Sequence, residues 1–71
     1  MDIPKLHQVE SSNLKEVGYE DGKLYVRFHN DSLYVYDNVP DSIYLELCNA
    51  SSKGSYFSMA IRNRFPFRKL S

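Results

Sequence analysis

Residues 17–36 run Val17-Gly-Tyr-Glu-Asp-Gly-Lys-Leu-Tyr-Val-Arg-Phe-His-Asn-Asp-Ser-Leu-Tyr-Val-Tyr36, and their alternation decides the fold. Asp21-Gly22 is the strongest short signal, because a two-residue hairpin turn needs positive φ at both central positions. Lys23 to Phe28 alternates cleanly and predicts a strand. Asn30-Asp31 is a second turn signal, and Leu33 to Tyr36 predicts a third strand. With two-residue turns at both places, Glu20 pairs with Lys23, Val17 with Val26, Phe28 with Leu33 and Val26 with Val35. Side chains alternate across a sheet, so the two registers can be tested against each other, and they agree. One face then collects Val17, Tyr19, Leu24, Val26, Phe28, Leu33 and Val35 as a core face. The other presents Glu16, Glu20, Lys23, Tyr25, Arg27, Tyr34 and Tyr36 to solvent. A slip of one residue at Asn30-Asp31 would exchange the faces of the third strand.

Outward from this meander the chain turns helical. Val39-Pro40 opens a helix, since proline needs no N–H in the first turn. Ile43, Leu47 and Ala50 make its apolar stripe. Ser51 to Ser55 breaks it and caps a second helix, whose stripe is Phe57, Ala60, Ile61 and Phe65 and which Pro66 stops. Arg62 and Arg64 fall near its C-terminal end, where cations favour the dipole. Phe67 and Leu70 in the tail are placed to pack back. The order is β-β-β-α-α, an α+β domain in which two short helices cover one face of a three-stranded antiparallel meander. With 71 residues the chain is read as a single domain, 1–71, with 1–10 as a loosely ordered N-terminal segment. A domain of this size has a thin core.

An ordered set of residues resembles the KTSC domain: Val9, Ser11-Ser12, Gly18-Tyr19, Leu24, Val26, Phe28, Tyr34-Val35-Tyr36, Val39-Pro40, Leu47, Ala50, Ser52, Gly54, Tyr56-Phe57 and Ile61-Arg62. The mid-chain Tyr-x-Tyr is that family's signature. One departure is Asp31, where the family often has glycine in the second turn. The module is similar to the C-terminal extension of some lysyl-tRNA synthetases and to free-standing bacterial and phage proteins. The resemblance brings no catalytic residues and, through the synthetase link, implies RNA binding.

Net charge is zero, yet it is unevenly spread. Residues 1–52 hold nine acids against four bases, a net of −5, and residues 53–71 hold five bases and no acid. Lys53, Arg62, Arg64, Arg68 and Lys69 are thus a candidate footprint for a nucleic-acid backbone. The plainer alternative is balance against the acidic remainder. Tyr25, Arg27, Tyr34 and Tyr36 are candidates for stacking bases. Alternatively they are ordinary strand formers covered by the N-terminal segment or a second copy of the chain.

Catalysis and metal binding find no support. His7, His29 and Cys48 are scattered without ligand spacing, and Cys48 is expected to be a buried thiol beside a helical stripe. One cysteine excludes an internal disulfide. No apolar run suits a membrane span or a signal peptide, so a cytoplasmic address is expected. The functional expectation is a non-enzymatic module without cofactor or metal that binds RNA or single-stranded nucleic acid. A protein-interaction or homodimerisation module of phage or prophage origin is the alternative.

Overall fold

The computed structural model describes residues 3–71. Five antiparallel strands lie in sequential order: β1 (His7–Gln8), β2 (Leu14–Glu20), β3 (Lys23–Phe28), β4 (Leu33–Tyr36) and β5 (Phe67–Lys69). Helices α1 (Asp41–Asn49) and α2 (Lys53–Ala60) are inserted between β4 and β5. The α+β class, the central meander and the two following helices are those the sequence predicts, and a short strand is added at each edge.

The first hairpin has the predicted register, with Glu20 opposite Lys23, Tyr19 opposite Leu24 and Val17 opposite Val26. Asp21 (φ 52°) and Gly22 (φ 78°) both lie in the left-handed region, as this turn requires. Nearer the start of β2 the register shifts between Leu14 and Glu16, leaving Lys15 as a bulge. Strict alternation would place Leu14 on the Glu16 face. The bulge returns it to the core, where it is fully buried beside Val17.

The second hairpin corrects the sequence-based register by one residue. Val26 faces Tyr34 rather than Val35, and Leu24 faces Tyr36. The turn is three residues long. Asp31 N–H donates to Phe28 O at 2.9 Å, and Phe28 N–H donates to Ser32 O at 2.9 Å. Asp31 (φ 69°) takes the left-handed position that follows a type I turn in such hairpins. Asn30 Oδ1 accepts the Ser32 N–H at 3.0 Å, the local bond that suits Asn to turns. The additional loop residue exchanges the two faces of β4.

Both faces of the sheet are therefore covered. Leu14, Val17, Leu24, Val26 and Tyr36 pack with Val39, Leu47, Phe57 and Ile61 beneath the helices. On the reverse, Tyr25, Leu33 and Val35 form a smaller cluster against Leu6 and Leu70. Leu6 reaches this cluster by crossing Gly18, where a Cβ would lie 2.7 Å from Leu6 Cδ2 and 3.0 Å from Lys5 O. Of the segment 1–10, His7 and Gln8 pair with Val17 and Glu16, while residues 1–2 lie outside the described residues.

Helix α1 starts after Pro40, whose carbonyl accepts the Ile43 N–H at 3.0 Å. At the start of α2, Ser52 Oγ accepts the Ser55 N–H at 3.4 Å, which is the cap the Ser-Ser-Lys-Gly-Ser turn predicts. The second helix ends earlier than its apolar stripe suggests. Ile61 and Arg62 N–H both donate to Phe57 O at 3.0 Å, and the chain leaves the helix so that Phe67 can come alongside Tyr36. Arg62 and Arg64 consequently stand in the turn beyond α2. Cys48 is half-buried rather than buried.

Candidate functional site: an aromatic groove

The register of β4 redistributes the candidate residues. Tyr34 and Tyr36 do not point to open solvent beside Tyr25. Tyr36 is only 4% exposed, its ring edge-on to Phe57 at 5.4 Å and tilted against Phe67 at 5.4 Å. Tyr34 is half-buried and meets Phe28 edge-on at 5.5 Å and Phe67 at 6.0 Å. Edge-to-face contacts set positive ring edges against negative faces. Tyr25 lies on the opposite face, 6% exposed beneath Leu6 and Leu70. Arg27 is held there too, its Nε donating to Glu16 Oε1 at 3.1 Å and its Nη1 to Asp31 O at 3.0 Å. An exposed tyrosine platform is thus replaced by two covered faces.

What the inward tyrosines build is a concave groove of about 660 Å³. Phe28, Tyr34, Tyr36, Phe57 and Phe67 form its apolar lining. Ser12 and Asn13 enter from the approach to β2, and His29 and Asn30 from the three-residue turn. Ser58, Arg62 and Asn63 enter from the end of α2 and the turn after it. Phe67 is 53% exposed, so one aromatic ring is open to an incoming ligand.

The polar wall is anchored. Ser11 Oγ accepts the N–H groups of Asn13 and Leu14, both at 3.2 Å. His29 Nε2 lies 2.7 Å from Ser11 O. A carbonyl only accepts, so Nε2 carries the proton. His29 N–H donates to Asn13 O at 3.3 Å, tying the turn to the start of β2. Gly54 at the start of α2 fits against this junction, where a Cβ would lie 3.2 Å from Asn13 Nδ2 and 3.3 Å from Ser11 Oγ.

The groove's electrostatics are one-sided. Among the described residues, Arg62 lines it and no carboxylate does. Lys69 stands opposite Tyr34 in the β4–β5 pair, on the same sheet face. Burial pushes the Tyr36 phenol above its ordinary pKa, with Tyr34 adding to the effect and Arg62 opposing it.

The remaining basic candidates lie elsewhere. Arg68 shares the opposite face with Val35, and its Nε is 3.9 Å from Asp37 Oδ2. Arg64 is exposed in the turn after α2. Lys53 donates from Nζ to Ala50 O at 3.3 Å. It lines a second groove of about 570 Å³ with His7, Glu10, Tyr44 and Cys48. There burial, then a hydrogen bond with Cys48, pushes the Tyr44 phenol up to about 12.

Of the nine candidates, Tyr34, Tyr36 and Arg62 line one groove, and Lys69 stands opposite Tyr34 in the β4–β5 pair. Sequence reasoning missed Phe28, Phe57 and Phe67 as lining residues because apolar periodicity marks them only as core. Asn13, His29, Asn30 and Asn63 carry no periodic signal, although three of them lie at turns. Among the described residues there is no group of three or more His, Cys, Asp and Glu that could hold a metal ion. No described helix is long and apolar enough to cross a membrane.

Comparisons with known proteins agree with this architecture. Residues 10–65 match the profile of the KTSC domain. A lysine–tRNA ligase of Nostoc punctiforme is 39% identical over 64 residues, which is 87% of this chain and 11% of the ligase. A lysine–tRNA ligase of Trichormus variabilis is 41% identical over the same shares. The chain thus spans about 11% of the length of these curated relatives. A KTSC domain protein of Yersinia pestis, solved by crystallography, superposes with a TM-score of 0.90 at 30% identity, covering 94% of this chain and 97% of that one. On sequence and architecture together, this chain belongs to the KTSC domain family.

Proposed function

We propose that this chain is a non-enzymatic module that binds RNA or other single-stranded nucleic acid in the groove between β4, β5 and the end of α2. The observation that carries this reading is the groove's composition, an aromatic lining with Arg62 present and, among the described residues, no carboxylate. Rings of this kind stack bases, at about 1–3 kcal/mol per base, and a guanidinium holds phosphate. The similarity to part of two lysine–tRNA ligases adds a nucleic-acid setting.

The test is titration of a labelled tRNA and an unstructured RNA oligomer, with Arg62→Ala and Phe67→Ala as variants. Both side chains are exposed, but Phe67 also covers the buried Tyr36 ring, so the fold of Phe67→Ala is checked by circular dichroism before titration. Each is expected to weaken binding by about fivefold or more. Absence of binding at low salt, or binding indifferent to both variants, contradicts the reading.

A further inference from the structure

We infer that the outer edge of β5 takes an extended acidic segment of another protein as an added strand of the sheet, an inference independent of the nucleic-acid reading above. Among the described residues β5 ends the sheet, with β4 on its inner side. Leu70 N–H donates to Leu33 O at 2.7 Å, and Asp37 N–H donates to Pro66 O at 2.8 Å. Antiparallel pairing alternates inward and outward backbone groups along a strand, so Pro66, Arg68 and Leu70 turn theirs toward β4. Phe67 and Lys69 then turn their N–H and C=O groups outward. Residues Phe67–Lys69 are all exposed. An extended peptide matches such a row of donors and acceptors in spacing, whereas a nucleic-acid backbone carries no amide row to pair with it.

Charge names the occupant. Arg68 and Lys69 lie on this edge, pairing with Val35 and Tyr34 and so pointing to opposite faces of the sheet. Residues 53–71 contain no acid. Asp37, beside the start of β5, has Oδ2 3.9 Å from Arg68 Nε, yet the Arg68 side chain remains 59% exposed. A second copy pairing through β5 in its centred register sets Arg68 opposite Arg68, which opposes association. Short edges that carry lysine are guarded against self-pairing in this way. The same cations attract a strand with acids at two successive positions, one for each face. Phe67 shares the Lys69 face and is 53% exposed, so an apolar residue after the two acids completes the match.

The experiment titrates the full chain with a capped peptide in which two glutamates precede one valine between threonines. A control peptide carries lysines in place of the glutamates. Amide exchange followed by nuclear magnetic resonance is the readout. The acidic peptide is expected to slow exchange at Phe67 and Lys69 and to bind about tenfold tighter than the control at low salt, the gap narrowing as salt rises. Arg68→Gln is expected to weaken binding about two- to fivefold, the loss of one exposed ion pair. Lys69→Ala removes the charge alone, while Lys69→Pro also removes the outward N–H and keeps the bonds to β4. The proline variant is therefore expected to bind about threefold or more weakly than the alanine variant. Unslowed exchange at Phe67 and Lys69, equal binding of the two peptides, or equal binding by the two Lys69 variants overturns the inference. So does slowed exchange at these amides with an RNA oligomer and not with the acidic peptide, or their protection in a free chain that sediments as a dimer.

Discussion

Tyr34 stands directly opposite Val26 across the β3–β4 hairpin, and that pairing turns Tyr36 inward with it, against Phe57. The groove exists because of this register. The opposite register would put Leu33 and Val35 under the helices and both phenols on the reverse face.

Asp31 maintains the register through its left-handed backbone. Glycine adopts that conformation without steric cost but lacks the carboxylate that pairs with Lys15, so Asp31→Gly is expected to keep the hairpin with a near-unchanged melting temperature. Asp31→Val places a β-branched residue at positive φ and is expected to lower it. Thermal melts followed by circular dichroism compare the three proteins. The Lys15 ammonium, 2.7 Å away, holds the Asp31 carboxyl below its ordinary pKa. A depressed carboxylate pKa stabilises the fold above the unfolded value and loses that effect as pH falls through the folded value. Lys15→Met should therefore flatten the acid limb of the stability profile.

Tyr36 is buried between the groove and the helices, with its ring against Phe57 and Phe67, so Tyr36→Ala is expected to cost about 3–5 kcal/mol, as large aromatic deletions do. A domain of this size has little more than that to lose. Tyr36→Phe keeps the ring and is expected to fold with a near-unchanged urea midpoint. Full stability of the alanine variant contradicts the buried placement.

Gly18 makes room for Leu6. A Cβ there meets the Leu6 methyl, which can move, and the Lys5 carbonyl, which belongs to the backbone. Gly18→Ala is expected to cost about 1–3 kcal/mol and to release β1, seen as faster amide exchange at His7 and in β2. Exchange unchanged in both places contradicts the docking of β1 over Gly18.

Much of the fold was legible in the sequence, and the physics separates what was from what was not. Asp21-Gly22 admits one common turn, so the β2–β3 register followed directly. Asn30-Asp31 suits both two- and three-residue loops, and a one-residue difference there reverses Tyr34 and Tyr36. Strands β1 and β5 are two and three residues long, too short for alternation to register. The Tyr-x-Tyr pair was legible as part of the site, while its partners Phe57 and Phe67 became visible only once the end of α2 brought the chain back beside β4.

Tyr44 stacks on Tyr19 with ring centres 5.2 Å apart, and its phenol is pushed up to about 12. A raised folded-state pKa stabilises the protein below the unfolded value of about 10, and the effect is lost as pH rises through the folded value. The melting temperature is expected to fall between about pH 10 and pH 12. Tyr44→Phe should reduce that fall, and an identical alkaline limb in wild type and variant contradicts the assignment.

A ligand seated as proposed lies against Tyr34, Phe67 and Arg62 in the groove. Nuclear magnetic resonance titration of the isotope-labelled chain with a single-stranded RNA oligomer reports where the ligand sits. The expected result is a set of shift changes confined to those residues and the Asn13–His29 wall. Changes centred on Tyr25, Leu33 and Val35, or none at saturating oligomer, would contradict it.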